Sequence, residues 1–182
     1  MKRTVSGTGT SGTGVSPVTK TLRVTRRNLP HWQQGGSTYF ITFRVRRGTL
    51  SESERRMVLA ALLHWHQRKW HLHAAVVMPD HVHVLAHPLP SGNVAWHSLG
   101  EILHSVKSFT AHEINKRRNS KGSIWLDEYF DRLLRNEAEY QEKLSYIKDN
   151  PVKEGLAPTP EEYSFLWEES STGETPVPLN WL

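Results

Sequence analysis

The sequence predicts an α+β domain: an antiparallel sheet with helices packed on one face, followed by a further helix at the C-terminal end. Three observations carry this reading. Strand-like and helix-like segments follow one another in the order β-α-β-β-α-β. The connections between them are short, which favours antiparallel neighbours. At 182 residues the chain suits one domain with tails.

The elements follow from local composition. Residues 37–45, STYFITFRV, are β-branched and aromatic and form the first strand, which ends at Gly48. Ser51 followed by Glu52 and Glu54 opens a helix, since a hydroxyl cap and early carboxylates satisfy and complement its free N–H groups. Val58, Leu59, Leu62, Leu63 and His66 recur at helical spacing and carry that helix to about Lys69. Ala74–Met78 reads as a strand, Pro79-Asp80 as a turn, and residues 81–88 as its hairpin partner. A second helix spans about Leu99 to Arg117, with Leu99, Ile102, Leu103, Val106 and Phe109 as its apolar stripe; Asn119 to Gly122 breaks it. Ser123–Leu134 forms a final strand pair or strand-turn, and Glu137–Asp149 a third helix that Pro151 stops. This order is that of a ferredoxin-like layer, in which the strand beginning at His81 is central.

Residues 78–85, MPDHVHVL, hold the chemistry most visible at this level. Side chains alternate across a strand, so His81 and His83 share one face while Val82 and Val84 share the other. Two adjacent imidazoles can clamp a divalent ion, or can be two satisfied core histidines, and spacing alone does not choose. On the third helix Tyr146 and Asn150 are four residues apart and share a face. An amide oxygen is a hard donor suited to Mg²⁺ or Mn²⁺, and a phenol, whose ordinary pKa is about 10, attacks phosphorus only beside a cation or base. A half-buried packing tyrosine fits the same spacing.

Composition narrows the partner. The net charge is +5, with basic clusters at Arg23-Arg26-Arg27, Arg44-Arg46-Arg47 and Lys116-Arg117-Arg118-Lys121. A phosphate backbone and a merely solvated basic surface both fit such clusters. There is no cysteine, so disulfides and thiolate metal sites are excluded, which fits a reducing compartment. No stretch approaches membrane-spanning length and no signal peptide is expected. Residues 1–22 and 170–182, rich in Gly, Ser, Thr and Pro, have little to bury and are expected to be disordered tails around a domain at 23–169.

The stretches MPDHVHVL, IWLDEYFDRLLR and YIKDNPVKEGL, in this order, resemble the signature blocks of single-tyrosine HUH transposases of the IS200-like superfamily, and most of all the branch associated with REP elements. The resemblance covers about Arg26 to Glu169. It implies His81 and His83 as metal ligands, Asn150 as the third, and Tyr146 as the nucleophile that forms a 5′-phosphotyrosine. It further implies Lys107 as a DNA contact, and the Asp131-Arg132 pair as holding the active-site strand or the DNA. Arg26, Arg27, Arg117 and Arg118 are taken as backbone contacts, and residues 23–32 as the segment that reads a hairpin foot. Where the family often carries Gln after the tryptophan of the fourth strand, this chain has Leu126. The activity implied is metal-dependent (Mg²⁺ or Mn²⁺) nicking and strand transfer on single-stranded or hairpin DNA, by a cytoplasmic, nucleoid-associated monomer or homodimer. A hairpin-binding protein that does not cleave, and a nuclease using activated water, are the rival readings. Tyr129 and Tyr140 are rival nucleophiles lacking an amide four residues on. The histidines of HWHQRKWHLH, at residues 64–73, are read as scattered surface or partly buried residues able to bind metal adventitiously.

The tails carry one more signal. Any DNA encoding TGETPV at 172–177 has a reverse complement that reads TGVSPV in a shifted frame, and TGVSPV is the sequence at 13–18. Both tails are thus expected to be translated copies of one palindromic element in opposite orientations. The gene's nucleotide sequence checks this: the codons of the two segments should pair as inverted repeats, and codons that do not pair end the idea.

Overall fold

The computed structural model describes residues 22–26, 30–34, 36–92 and 95–169; both expected tails lie outside them, except that Leu22 already belongs to a strand. Strands β1 (Leu22–Arg26) and β2 (Pro30–Gln34) pair as an antiparallel hairpin. The main sheet contains β3 (Tyr39–Arg44), β4 (Trp70–Val77), β5 (His81–Pro88), β6 (Phe130–Leu133) and β7 (Leu166–Glu168) in the order β6-β3-β5-β4-β7, every pair antiparallel. Helices α1 (Glu52–His64), α2 (Leu99–Arg118) and α3 (Glu137–Lys153) complete it. Without β7 the order is the β-α-β-β-α-β arrangement the sequence predicts, and β5 lies between β3 and β4.

The register assigns the faces. Thr42 pairs with His83, Phe43 with Val82 and Ile41 with Val84. Residues paired across a ladder point the same way, so Phe40, Thr42, His81, His83 and Leu85 share one face while Ile41, Phe43, Val82 and Val84 share the other. On the second face Phe43 meets the edge of Trp125, whose indole N–H donates to Thr110 of α2 at 2.9 Å. Trp70 donates to Leu62 O of α1 at 3.2 Å, and Ile102, Leu103, Val106, Val58 and Leu62 are buried there. Helix α3 lies on the first face, with Tyr146 against Phe40 and His83. The sheet is therefore covered on both sides, and β5 is buried on both, which explains its run of apolar residues interrupted by histidine.

Several boundaries differ from the sequence reading. Helix α1 ends at His64 rather than near Lys69, because Gln67 takes a left-handed φ of 58° and its N–H bonds back to Trp70 O at 2.9 Å. Strand β4 accordingly starts at Trp70, with Trp70 and Leu72 inward and His71 and His73 half-buried, so these histidines belong to a strand. Pro151 does not stop α3. The helix continues to Lys153 because Ile147, Asn150 and Pro151 are all buried against the sheet, and Glu154 N–H and Leu156 N–H close the last turn on Asn150 O and Pro151 O. Packing here outweighs the missing N–H of one proline. Residues 123–134 give only a bridge, Val45 to Trp125, and then β6. The hairpin β1–β2 and the edge strand β7 have no counterpart in the sequence reading. Among the described residues no helix is long and apolar enough to cross a membrane.

Helices α1 and α2 are joined at one corner by an ion pair whose carboxylate is buried. Glu54, 4% exposed, completes a capping box with Ser51 and accepts from Arg118 Nε and Nη2 at 2.7 and 2.6 Å. Arg118 also donates to Thr49 O at 2.7 Å. The Arg118 guanidinium holds the Glu54 carboxyl below its ordinary value. Replacing Arg118 with Ala leaves a buried carboxylate without its partner and should cost about 3 kcal/mol, lowering Tm by roughly 6–12 °C in a chain this size. Because the carboxyl titrates lower when folded, its contribution is present above the ordinary carboxylate range and is lost as pH falls through the lowered value. Thermal melts between pH 7 and pH 3 should therefore lose less stability for Glu54→Gln than for the wild type.

Candidate functional site

The first face of the sheet gathers the histidines, the tyrosine and the asparagine that the sequence singles out. His81 is 9% exposed, His83 4%, and their rings lie 4.7 Å apart at 69°. Each Nδ1 is engaged. His81 Nδ1–H donates to Asp80 Oδ1 at 2.6 Å, and Asp80 is itself held by Arg44 at 3.5 Å. His83 Nδ1 pairs with the Thr42 hydroxyl at 2.8 Å, the residue directly opposite it in the ladder. A carboxylate only accepts, so the His81 proton sits on Nδ1 and its Nε2 lone pair is exposed to the site. Burial, and after it repulsion from a protonated His81 and from Arg44, pushes His83 down to about 3, so this ring is neutral over the ordinary pH range.

Helix α3 brings the other two groups. Asn136 caps it, accepting from Glu139 N–H, and Glu137 and Glu139 complement its N-terminus. Residues 143, 146, 150 and 153 fall on one helical face. Lys143 Nζ is 5.5 Å from the Phe40 ring, and the Tyr146 ring sits 5.8 Å from Phe40 and 5.1 Å from His83. Phe40, Thr42 and Arg44 pair in turn with Leu85, His83 and His81, so the helix proceeds toward the His81 end of β5 and carries Asn150 there. Tyr146 is 39% exposed while Asn150 is only 6% exposed.

Two buried polar atoms, His83 Nε2 on β5 and Asn150 Oδ1 one turn after Tyr146, have no hydrogen-bond partner among the described residues. A buried polar atom left unpaired costs about 1–3 kcal/mol and calls for a ligand or an ion. Two imidazoles and one amide oxygen fit a divalent cation, and the second contacts of both imidazoles, Asp80 and Thr42, are of the kind that orient metal-bound histidine.

The surroundings are basic. Lys143 Nζ and Lys153 Nζ both lie 5.8 Å from the Tyr146 ring, one on each side of it in sequence. Arg132, opposite Phe40 on β6, reaches Glu139 of α3 at 3.3 Å, and Phe130, opposite Thr42, is 55% exposed on the same face. Thr42, Asp80, Lys143, Lys153 and Phe130 were not singled out by sequence. The period-two and i, i+3, i+7 spacings that find the histidines and Tyr146 also reach Thr42 and the lysines once the register is known.

Other expected contacts stand elsewhere. Lys107 donates to Leu126 O and Asp127 O at 2.7 and 2.8 Å, fastening the segment before β6. Arg118 is paired with buried Glu54, and its guanidinium joins two helices. Arg117 is exposed at the end of α2. Arg26 closes β1, and Arg27 lies outside the described residues. Tyr140 packs against His73, away from the pair at 81 and 83, and Tyr129 has no place on α3.

The chain matches the model of the family described as "Transposase IS200 like" over residues 38–150. It is 26% identical over 153 residues to the REP-associated tyrosine transposase of Escherichia coli strain K12, covering 83% of this chain and 87% of that protein. Among solved structures it is similar to a REP-associated tyrosine transposase bound to a REP hairpin, with a TM-score of 0.60 and 25% identity over 72% of this chain and 76% of the other. The family match takes in β3 through Asn150, more than half the chain and with it His81, His83, Tyr146 and Asn150, and on that ground the chain belongs to the IS200-like transposase family.

Proposed function

We propose that this chain is a metal-dependent single-strand DNA endonuclease and strand transferase acting on palindromic repeat hairpins, with Tyr146 carrying the cut strand as a 5′-phosphotyrosine. The observation that supports it best is the pair of orphaned buried polar atoms, His83 Nε2 and Asn150 Oδ1, the first on the ring that packs against the half-exposed Tyr146 and the second one helical turn after it. The hairpin substrate is suggested by the relative whose structure carries a REP hairpin and by the mutually inverted tails.

His81, His83 and Asn150 would hold Mg²⁺ or Mn²⁺, which when bound polarises the scissile phosphate as a Lewis acid. The chain's own groups do the rest. Asp80 keeps the His81 proton on Nδ1, and the Thr42 hydroxyl, by accepting from His83 Nδ1–H, would do the same for His83, leaving both Nε2 atoms available. Phe40 and His83 fix the Tyr146 ring, and Lys143 and Lys153 put positive charge beside the phenol and the incoming phosphate. The Tyr146 oxygen bonds to phosphorus as the bond from phosphorus to the 3′ oxygen breaks. The phenol gives up its proton and the departing strand ends as a 3′-hydroxyl. A phosphotyrosine keeps the energy of the phosphodiester, so the reverse attack by another 3′-hydroxyl rejoins strands. Basic side chains hold the backbone, so binding should weaken steeply with salt.

The test is incubation of the full chain with a single-stranded oligonucleotide carrying the hairpin encoded by residues 172–177, in Mg²⁺ or Mn²⁺, followed by a denaturing gel. A covalent adduct is expected for the wild type and none for Tyr146→Phe, with cleavage reduced by about 10³-fold or more and hairpin binding kept within a few-fold. Cleavage that survives Tyr146→Phe would instead identify a nuclease using water. Binding with no adduct or cleavage in either metal, with flanking sequence varied, would identify a non-cleaving hairpin-binding protein. Thr42→Val removes only the partner of His83 Nδ1. Titration calorimetry with Mn²⁺ should report affinity weaker by about 10–100-fold for that variant, and loss of measurable binding for Asn150→Ala with His83→Ala.

A further inference from the structure

At the opposite end of the central strands a second group of imidazoles converges. The rings of His71, His73 and His87 lie 4.8, 5.0 and 5.1 Å from one another, on the paired ends of β4 and β5. Glu169, immediately after β7, is brought in by its own N–H, which donates to His73 O at 2.9 Å. Its carboxylate accepts from His71 Nε2–H at 2.6 Å. One ligand atom each from His71, His73 and Glu169 lie within 4.8 Å of one another, all three residues half-buried.

We propose that His71, His73 and Glu169 form a second divalent-cation site, of the borderline class represented by Zn²⁺, that ties edge strand β7 to β4. Two imidazoles and one carboxylate are a ligand set zinc takes readily, with bonds of about 2.0–2.2 Å that place ligand atoms roughly 3.3 Å apart. The present spacing of 2.6 to 4.8 Å brackets that figure, and rotation of half-exposed side chains supplies the adjustment. The second contacts are in place. The Gln67 amide, which can present either end, stands 2.9 Å from His71 Nδ1, and His87 Nδ1 stands 3.0 Å from His73 Nε2. The remaining tetrahedral position falls to water. His66 is excluded from the ligand set because its Nδ1 already accepts from Leu72 N–H at 3.0 Å. Burial, then the neighbouring imidazoles, keeps His73 at about 4, so this ligand is neutral and needs no proton removed. The consequence is mechanical: β7 also reaches α3 through Lys148 and Glu168 at 2.8 Å, so the cation secures the strand on which the nucleophile-bearing helix leans.

The experiment is equilibrium dialysis of the full chain against Zn²⁺ with millimolar Mg²⁺ present, followed by elemental analysis, in wild type and in His81→Ala/His83→Ala. The double variant should retain about one zinc per chain, and adding Glu169→Gln with His71→Ala should remove it. In the otherwise native chain, zinc at a hundredfold excess over the Kd of this site should raise Tm by about 5–10 °C more than it does in Glu169→Gln with His71→Ala, circular dichroism confirming that this variant is folded. No zinc held by the folded double variant, or the same stoichiometry and Tm rise after loss of His71 and Glu169, overturns the proposal and makes any binding adventitious to surface histidines. If His81→Ala/His83→Ala does not fold, the Tm comparison in the native background decides alone.

Discussion

The site depends on the register of β3 against β5. With Thr42 opposite His83 and Arg44 opposite His81, both histidines turn to the face that α3 covers, and each receives a partner for Nδ1 from a neighbouring backbone position. A slip of one residue would send Val82 and Val84 to that face and bury the imidazoles against α1 and α2. The register is held by apolar demand on the other side. Ile41, Phe43, Val82 and Val84 are all buried at 1% exposure or less, and Phe43 is keyed to Trp125, which is keyed to Thr110. A core on one face thus sets the chemistry on the other.

Helix α3 meets that face with one stripe of residues performing distinct tasks. Ile147, Asn150 and Pro151 are buried and hold the helix down, while Tyr146 stays half-exposed on a platform formed by Phe40 and His83. The same burial that leaves Asn150 Oδ1 and His83 Nε2 without partners keeps His83 neutral, so the unsatisfied groups are lone pairs and not charges. Positive charge is supplied around the site by lysines and arginines and not within it, which leaves the interior free to receive a cation.

Not every basic residue serves that surface. Arg118 looks in sequence like part of a basic cluster with Lys116 and Arg117, yet it turns inward to the Glu54 carboxylate and Thr49 O. Lys107 likewise fastens the carbonyls of residues 126 and 127. A run of charges reads as one patch, but each long side chain is directed by the acceptors within its reach, and those lie tens of residues away in the chain.

By itself the sequence determined the elements and their order, since period-two and 3.6 patterns, the caps at Ser51 and Asn136 and the turn at Pro79-Asp80 act between near neighbours. It also determined which residues could share a face: His81 with His83, and Tyr146 with Asn150. Tertiary structure decided what short-range rules cannot reach. Helix α3 runs through Pro151 because its last turn is buried, and His71 and His73 belong to a strand because Gln67 turns the chain back early. It also decided that β7 and the hairpin β1–β2 exist, and that Thr42, Lys143 and Lys153 stand around the candidate site while Arg118 does not. These outcomes depend on contacts between residues far apart in the chain, and no local pattern encodes the free energy of a contact whose partner lies on another element.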